Sequence, residues 1–101
     1  MPGKSPELFF RPEFLKDLQH WIKNDKRNAI RVLDIVLDVA RNPFTGLGKP
    51  ERLKYLGPDI WSRRLSLEHR VVYLLRDDRI VFLLVVFLPA LSEKTASTAL
   101  A

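Results

Sequence analysis

Apolar positions recur along this chain in two rhythms, every three to four residues up to position 41 and every two, or continuously, beyond position 60. After Pro12, the residues Phe14, Leu15, Leu18, Trp21 and Ile22 fall on one helical face, while Lys16, Asp17, Gln19 and Lys23 fill the other. That spacing predicts an amphipathic helix over 12–24, with Pro12 suited to its first turn. Asp25 is placed to cap a second helix. Over 26–41 the polar residues Arg31, Asp34, Asp38 and Arg41 make a narrow stripe on a cylinder that is otherwise Ile30, Val32, Leu33, Val36, Leu37 and Val39. So apolar a helix predicts cover on most sides, and the simplest arrangement lays it between the first helix and a sheet. Asn42-Pro43 ends it, because the residue before proline resists helical geometry.

The second rhythm predicts strands. Segments 61–66 and 69–76 are followed, through Asp77-Asp78, by 79–88 as a hairpin, and 52–56 adds a short strand ahead of them. Upstream, Leu8, Phe9 and Phe10 make 7–11 a further short strand, which Pro12 ends or confines to an edge. Helices followed by a meander of strands predict an α+β domain, two N-terminal helices packed on a twisted antiparallel sheet of about four strands. Alternation in 69–76 puts Arg70, Val72 and Leu74 on one face and His69, Val71 and Tyr73 on the other. The last strand is apolar at every position, which predicts a central place with both faces covered. The divisions expected are a flexible arm over 1–6, one domain over 7–91 and a small, polar, disordered tail over 92–101.

Composition narrows the classes. Seventeen Lys and Arg against twelve Asp and Glu give a net charge of +5, which favours anionic partners such as nucleic acid or an acidic protein. With no cysteine, disulfides, thiolate zinc sites and thiol nucleophiles are excluded, and a reducing cytoplasm is a comfortable setting. His20 and His69 stand far apart and make a poor metal set, so no metal and no cofactor are expected. The N-terminus lacks the apolar run of a secretory signal, and the longest apolar run, 80–88, falls far short of the roughly 20 residues that span a membrane.

The candidate chemistry gathers in 48–73. Lys49, Arg52, Lys54, Arg63, Arg64 and Arg70 surround a single carboxylate, Glu51, with His69 and Trp61 close by in sequence. Such a mixture reads as a phosphate-handling surface. Metal-independent cleavage within an RNA chain needs a base for the 2′-hydroxyl proton, cations for the charge that builds on the phosphoryl oxygens, and an acid for the leaving oxygen. Glu51 is a candidate base, and Arg70 and Arg64 candidate charge holders; no acid is evident. Each has a blander explanation. A glutamate among bases is commonly a salt-bridged surface group. Tandem Arg63-Arg64 on a strand sends one guanidinium to each face, so that one of them is a solvated or structural charge. Trp61 reads as a core or edge aromatic, His20 as surface, and His69 as a turn or partner-contacting residue.

At these residues the chain resembles the YoeB-type toxins of bacterial toxin-antitoxin modules, within the broader RelE superfamily of ribosome-dependent messenger RNA endonucleases. The matching pieces are Asn24-Asp25-Lys26-Arg27, the run from Asn42-Pro43-Phe44 through Gly48-Lys49-Pro50-Glu51, Trp61-Ser62-Arg63-Arg64-Leu65, Glu68-His69-Arg70-Val71-Val72-Tyr73, and Asp77-Asp78. Their order and spacing agree over roughly 7–87, and together they are far more specific than any fragment. The resemblance implies two helices on a twisted antiparallel sheet, messenger RNA lying on the sheet's open face in the ribosomal decoding site, and an antitoxin that wraps and blocks the toxin. Carried over by position, it makes Glu51 the general base and Arg70 the principal phosphate-stabilising arginine. Lys54 and Arg64 become supporting bases, with Lys49 beside them on the RNA-binding surface.

One stretch departs from the family. Members end the last strand with an arginine and a Tyr-His-Tyr type sequence, whose histidine is the general acid and whose final tyrosine stacks on or orients the RNA. Here Phe87 is the aromatic equivalent, but Leu88 stands where the histidine belongs and Pro89 where the tyrosine belongs. Neither can donate a proton, so impaired activity is expected, and a remnant that binds antitoxin or ribosome without cutting is the alternative. His69 lies on the face opposite Arg70 by alternation and is a poor substitute. A lost motif before a featureless tail is the pattern of a frameshifted or decayed gene; genomic DNA whose neighbouring frame encodes no such ending would sink that idea. The apolar run 85–91 predicts association, with an antitoxin or with a second copy of the chain.

Overall fold

Two helices share one face of a five-stranded sheet in the computed structural model of the chain, which describes residues 6–87. In chain order the elements are β1 (Glu7–Phe10), α1 (Pro12–Asn24), α2 (Lys26–Arg41), β2 (Glu51–Arg52), β3 (Ile60–Arg64), β4 (His69–Arg76) and β5 (Arg79–Phe87). The α+β class and both helices match the sequence pattern. Pro12 opens α1, and the Asp25 side chain accepts the Asn28 amide at 3.2 Å, so that one residue closes α1 and caps α2.

The sheet takes in all five of the predicted strand segments and differs from expectation in sense. Its order is β1-β5-β4-β3-β2, with β5-β4-β3-β2 antiparallel and β1 added parallel to β5, Leu8 opposite Ile80 and Phe10 opposite Phe82. The sheet is therefore mixed: β1 lies on the outer edge of β5 and runs the same way, and α1 and α2 then carry the chain across to β2 at the opposite edge. β2 is shorter and earlier than the expected 52–56: Glu51 and Arg52 pair with Ser62 and Trp61, the Leu53 amide still donates to Ile60 O at 2.8 Å, and the chain turns away from Lys54 onward. The expected arm over 1–6 and the residues 88–101, Leu88, Pro89 and the expected tail included, lie outside the described residues, apart from Pro6.

Phe14 of α1 and Val32, Ile35, Val36 and Val39 of α2 meet Val71, Tyr73, Ile80 and Phe82 in one core. Phe14 and Phe82 are in ring contact at 5.5 Å, and Trp21 and His69 at 4.9 Å. α1 thus rests on the sheet itself, and α2 lies beside it rather than between it and the strands. Nor is α2 covered on most sides, because Ile30 at 61% and Leu37 at 64% exposure, with Leu33 between them, form an open apolar stripe. β5 is an interior strand, as its composition predicts. Its second face is only half covered, however, and Phe87 at its end is exposed.

A β-bulge lies in β5. Val72 pairs with Leu84 and Tyr73 with Phe82, leaving Leu83 extra. The bulge reverses the alternation of the strand, so that Phe82, Val85 and Phe87 fall on the helix face with Tyr73, Val71 and His69. On the other face stand Glu51, Ser62, Arg64, Arg70, Val72, Leu84 and Val86.

Candidate functional site

That second, helix-free face carries the candidate chemistry. Pairing places Glu51 opposite Ser62 and Arg64 opposite Arg70, so three neighbouring strands deliver a carboxylate, a hydroxyl and two guanidiniums to one patch. Arg70 Nη1 donates to Glu51 Oε1 at 3.2 Å and to Ser62 Oγ at 3.2 Å. The two partners differ in exposure, with the Arg70 side chain 6% accessible and that of Glu51 49%. The guanidinium is a fixed base plate, and the carboxylate stands at its edge, open to a ligand.

Burial comes first among the influences on Arg70 and pulls its pKa below the ordinary arginine value. Glu51 opposes that shift and Arg64 adds to it by like-charge repulsion. The site thus contains two cations in mutual repulsion beside one carboxylate, an arrangement that an incoming phosphate would relieve. Lys49 and Lys54, both exposed, bracket Glu51 in the chain, Lys49 in the loop before it and Lys54 in the turn after it. Lys49 has positive φ, 54°, so the backbone turns sharply just ahead of the base candidate.

Glu51, Arg70 and Arg64 are therefore brought together, with Lys49 and Lys54 on the adjoining connections. Phe87 is not brought to this patch. It pairs with His69 on the helix face, with ring centroids 5.4 Å apart. His69 also contacts Trp21 and lies within 3.2 Å of Ser66 Oγ, on the side away from Arg70. Trp61 packs edge-on against Phe44 at 5.3 Å, a structural aromatic at the sheet margin. Among the described residues no group of His, Asp and Glu is arranged to hold a metal ion.

Tyr55 escapes the sequence pattern, and for Arg63, read there as one of a pair sending one guanidinium to each face, the pattern does not reveal the buried partner. Tyr55, in the turn after β2, lies close enough to Arg70 to influence its charge. Arg63, neighbour of Arg64 in β3, points the other way, is fully buried and pairs with Asp38 of α2 at 2.7 Å. Alternation with Trp61 was the available signal for Arg63, because an arginine on a face covered by helices must find a buried partner. Asp38 is held well below the ordinary aspartate value, at about 2, first by the hydrogen bond from Arg63 and then by those from the Leu47 amide and Arg41.

Comparison with known proteins gives a consistent picture. The sequence profile of the YoeB-like toxin of bacterial type II toxin-antitoxin systems matches residues 10–87. Toxin YoeB of Escherichia coli (strain K12) is 39% identical over 75 residues, 74% of this chain and 89% of that protein. The YoeB dimer from Staphylococcus aureus superposes with a TM-score of 0.72 at 30% identity, over 80% of this chain and 94% of that one. The YoeB-YefM complex from the same organism gives 0.71 at 29% identity, over 83% and 98%.

Proposed function

Because the chain belongs to the YoeB-like toxin family of bacterial type II toxin-antitoxin systems, we propose that its helix-free sheet face is an endoribonuclease site acting on messenger RNA in the ribosome. The observation that supports this most directly is the Glu51–Arg70 pair, 3.2 Å apart on the helix-free face, with the carboxylate half exposed and Arg64 beside it. Glu51 takes the 2′-hydroxyl proton and the 2′-oxygen attacks the adjacent phosphorus. Arg70 exchanges its carboxylate partner for the phosphoryl oxygens, with Arg64, Lys54 and Lys49 sharing the accumulated charge. The products are a 2′,3′-cyclic phosphate and a 5′-oxygen that must gain a proton.

That last proton separates this chain from the pattern it resembles. Leu88 and Pro89 carry no proton to donate, and His69 is turned to the helix face. With water as the donor, the reaction loses roughly 10² to 10⁴ in rate. The same two residues favour a second reading, a remnant that retains its binding surfaces and has ceased to cut. Programmed ribosomes carrying a labelled messenger distinguish them when this chain is compared with its Leu88→His, Pro89→Tyr variant. Weak cleavage by the natural chain and strong cleavage by the variant support the impaired nuclease. Cleavage by the variant alone supports the remnant, and none by either removes the nuclease assignment.

The partners follow from the same family and from the surface. A cognate antitoxin and a second copy of the chain are the proposed protein partners, in line with the YoeB-YefM complex and the YoeB dimer among the similar structures. The open apolar stripe Ile30, Leu33 and Leu37 and the exposed ring of Phe87 offer the contact area. No helix of the described residues is long and apolar enough to cross a membrane. A ribosomal target places the protein in the cytoplasm. Sedimentation of the chain alone, and with the product of the adjoining antitoxin gene, tests both associations; a monomer in both mixtures refutes them.

A further inference from the structure

On the side of β3 turned away from the site, the buried Arg63 has an acceptor for every N–H of its guanidinium. Nε donates to Tyr73 Oη at 3.0 Å, Nη1 to Asp38 Oδ2 at 2.7 Å and to Leu47 O at 3.0 Å, and Nη2 to Asn42 O and to Thr45 O, the latter at 3.1 Å. Tyr73 donates its hydroxyl proton in turn to Pro43 O at 3.2 Å, and Asp38 Oδ2 accepts the Leu47 amide at 2.9 Å. Side chains from β3, β4 and α2 therefore grip the backbone of residues 42–47 at nearly every step. The cluster lies on the helix face and takes no part in the chemistry proposed for the other face.

What the gripped loop carries explains the expense of burying a charge there. It runs through Gly48, Lys49 and Pro50 directly into Glu51. Gly48 O accepts the Arg64 amide at 2.6 Å, and a Cβ on Gly48 would meet Arg64 O at 2.6 Å, so loop and strand are in backbone contact. β2 itself is only two residues long, so its place depends on the anchors at its ends, the loop before it and, after it, the buried Leu53, whose amide donates to Ile60 O at 2.8 Å. On its N-terminal side the Glu51 carboxylate thus takes its location from the loop.

We propose that Arg63, paired with Asp38, is a positioning residue for Glu51: by pinning residues 42–47 to the sheet it holds the Glu51 carboxylate against the Arg70 guanidinium. The functional importance of that placement rests on the assignment of Glu51 as the base; the placement itself does not. Arg63 touches no RNA. It acts across the thickness of β3, while its chain neighbour Arg64 faces the substrate side.

Arg63→Lys tests this in the full chain, since it keeps the charge and loses the fork that reaches several carbonyls at once. Folding is checked by circular dichroism, and all measurements are made where variant and natural chain are both folded. The first readout needs no RNA and is the nitrogen-15 spectrum of the Arg70 side chain. In the natural chain its Nη protons are held apart by Glu51 and Ser62. In Arg63→Lys they collapse to one averaged signal, as they do in Glu51→Gln, where the clamp is intact and the carboxylate is gone. The second readout is ribosomal cleavage in the Leu88→His, Pro89→Tyr background, where kcat falls roughly ten- to a hundredfold with KM within about twofold, as expected for a misplaced base. An unaltered Arg70 signal in folded Arg63→Lys overturns the proposal, as does a loss confined to KM. If Arg63→Lys does not fold, Tyr73→Phe, which deletes one hydroxyl of the clamp, must show a smaller shift of the same kind; an unchanged Arg70 signal there is equally fatal. Absence of cleavage in the background chain with a normal Arg70 signal counts against Glu51 as a base, and the positioning claim is then decided by the spectrum alone.

Discussion

Replacing Asp38 by alanine strips the counter-charge from a guanidinium that has no access to water. Arg63 is 0% exposed and keeps the carbonyls of Leu47, Asn42 and Thr45 and the Tyr73 hydroxyl as acceptors, so the loss is mainly that of the anion. Breaking a buried pair from one side costs about 3 to 5 kcal/mol. The depressed pKa of Asp38 gives a second figure. Asp38 is depressed from an ordinary 3.8 to about 2, and that gap corresponds to about 2 to 3 kcal/mol. Because the folded value lies below the unfolded one, the stabilisation is complete above pH 3.8 and is lost as pH falls from there through about 2. The two figures overlap near 3 kcal/mol, a large share of the roughly 5 to 15 kcal/mol that holds a domain folded. Urea unfolding of the natural chain, Asp38→Ala and Asp38→Asn at neutral pH should show both variants destabilised, with a melting temperature about 12 to 24 °C lower for a loss of that size. Repeating the series down to pH 2 should narrow the gap between the natural chain and Asp38→Asn. A cost below about 1 kcal/mol at neutral pH, or a gap that does not narrow in acid, refutes the reasoning.

Three further outcomes are expected. Gly48→Ala sets a side chain at φ 77° against Arg64 O and should cost about 2 to 3 kcal/mol in the same urea assay; a neutral effect would mean that loop and strand are not in contact. Asp17→Ala removes the acceptor of the Val85 amide, 2.8 Å away on the edge of β5 beyond its pairing with β1, and should cost about 1 to 3 kcal/mol. Hydrogen exchange at Val85 should quicken accordingly, and an unchanged rate would show another acceptor in its place. Glu51→Gln separates stability from activity, because its ion pair is half exposed and is worth under about 1 kcal/mol to the fold, while loss of a base costs roughly 10² to 10⁴ in cleavage by the Leu88→His, Pro89→Tyr chain. A large melting shift, or undiminished cleavage, would contradict that division.

Much of this architecture is legible in the residues because local signals agree with the final packing. The helix periodicity of 12–24 and 26–41, Asp25 between them, and the strand alternation that sets Arg70 against His69 all survive into the fold. What is hidden depends on contacts distant in sequence. The parallel place of β1 is decided by its pairing with β5, 72 positions downstream, not by anything in 7–10. Alternation counted from Ile80 and Phe82 would send Phe87 to the Arg70 side, and only the bulge at Leu83 turns it to the helices. The Glu51–Arg70 meeting was suggested by resemblance rather than by spacing, since the two stand on strands that are not neighbours and touch across Ser62. Asp38 reads only as part of a narrow polar stripe because Arg63, its partner, lies 25 positions away.

The twin arginines of β3 have a consequence for how this strand tolerates change. Slipping it by one position would keep an arginine in only one of the two sockets: Arg64 in the dry one with Leu65 in the wet one, or Arg63 in the wet one with Ser62 in the dry one. The socket that keeps its charge would not register the error, and the other would. Alignment is therefore held from two directions, by the socket that would lose its guanidinium and by the two preceding residues, where Trp61 needs Phe44 and Ser62 needs Arg70.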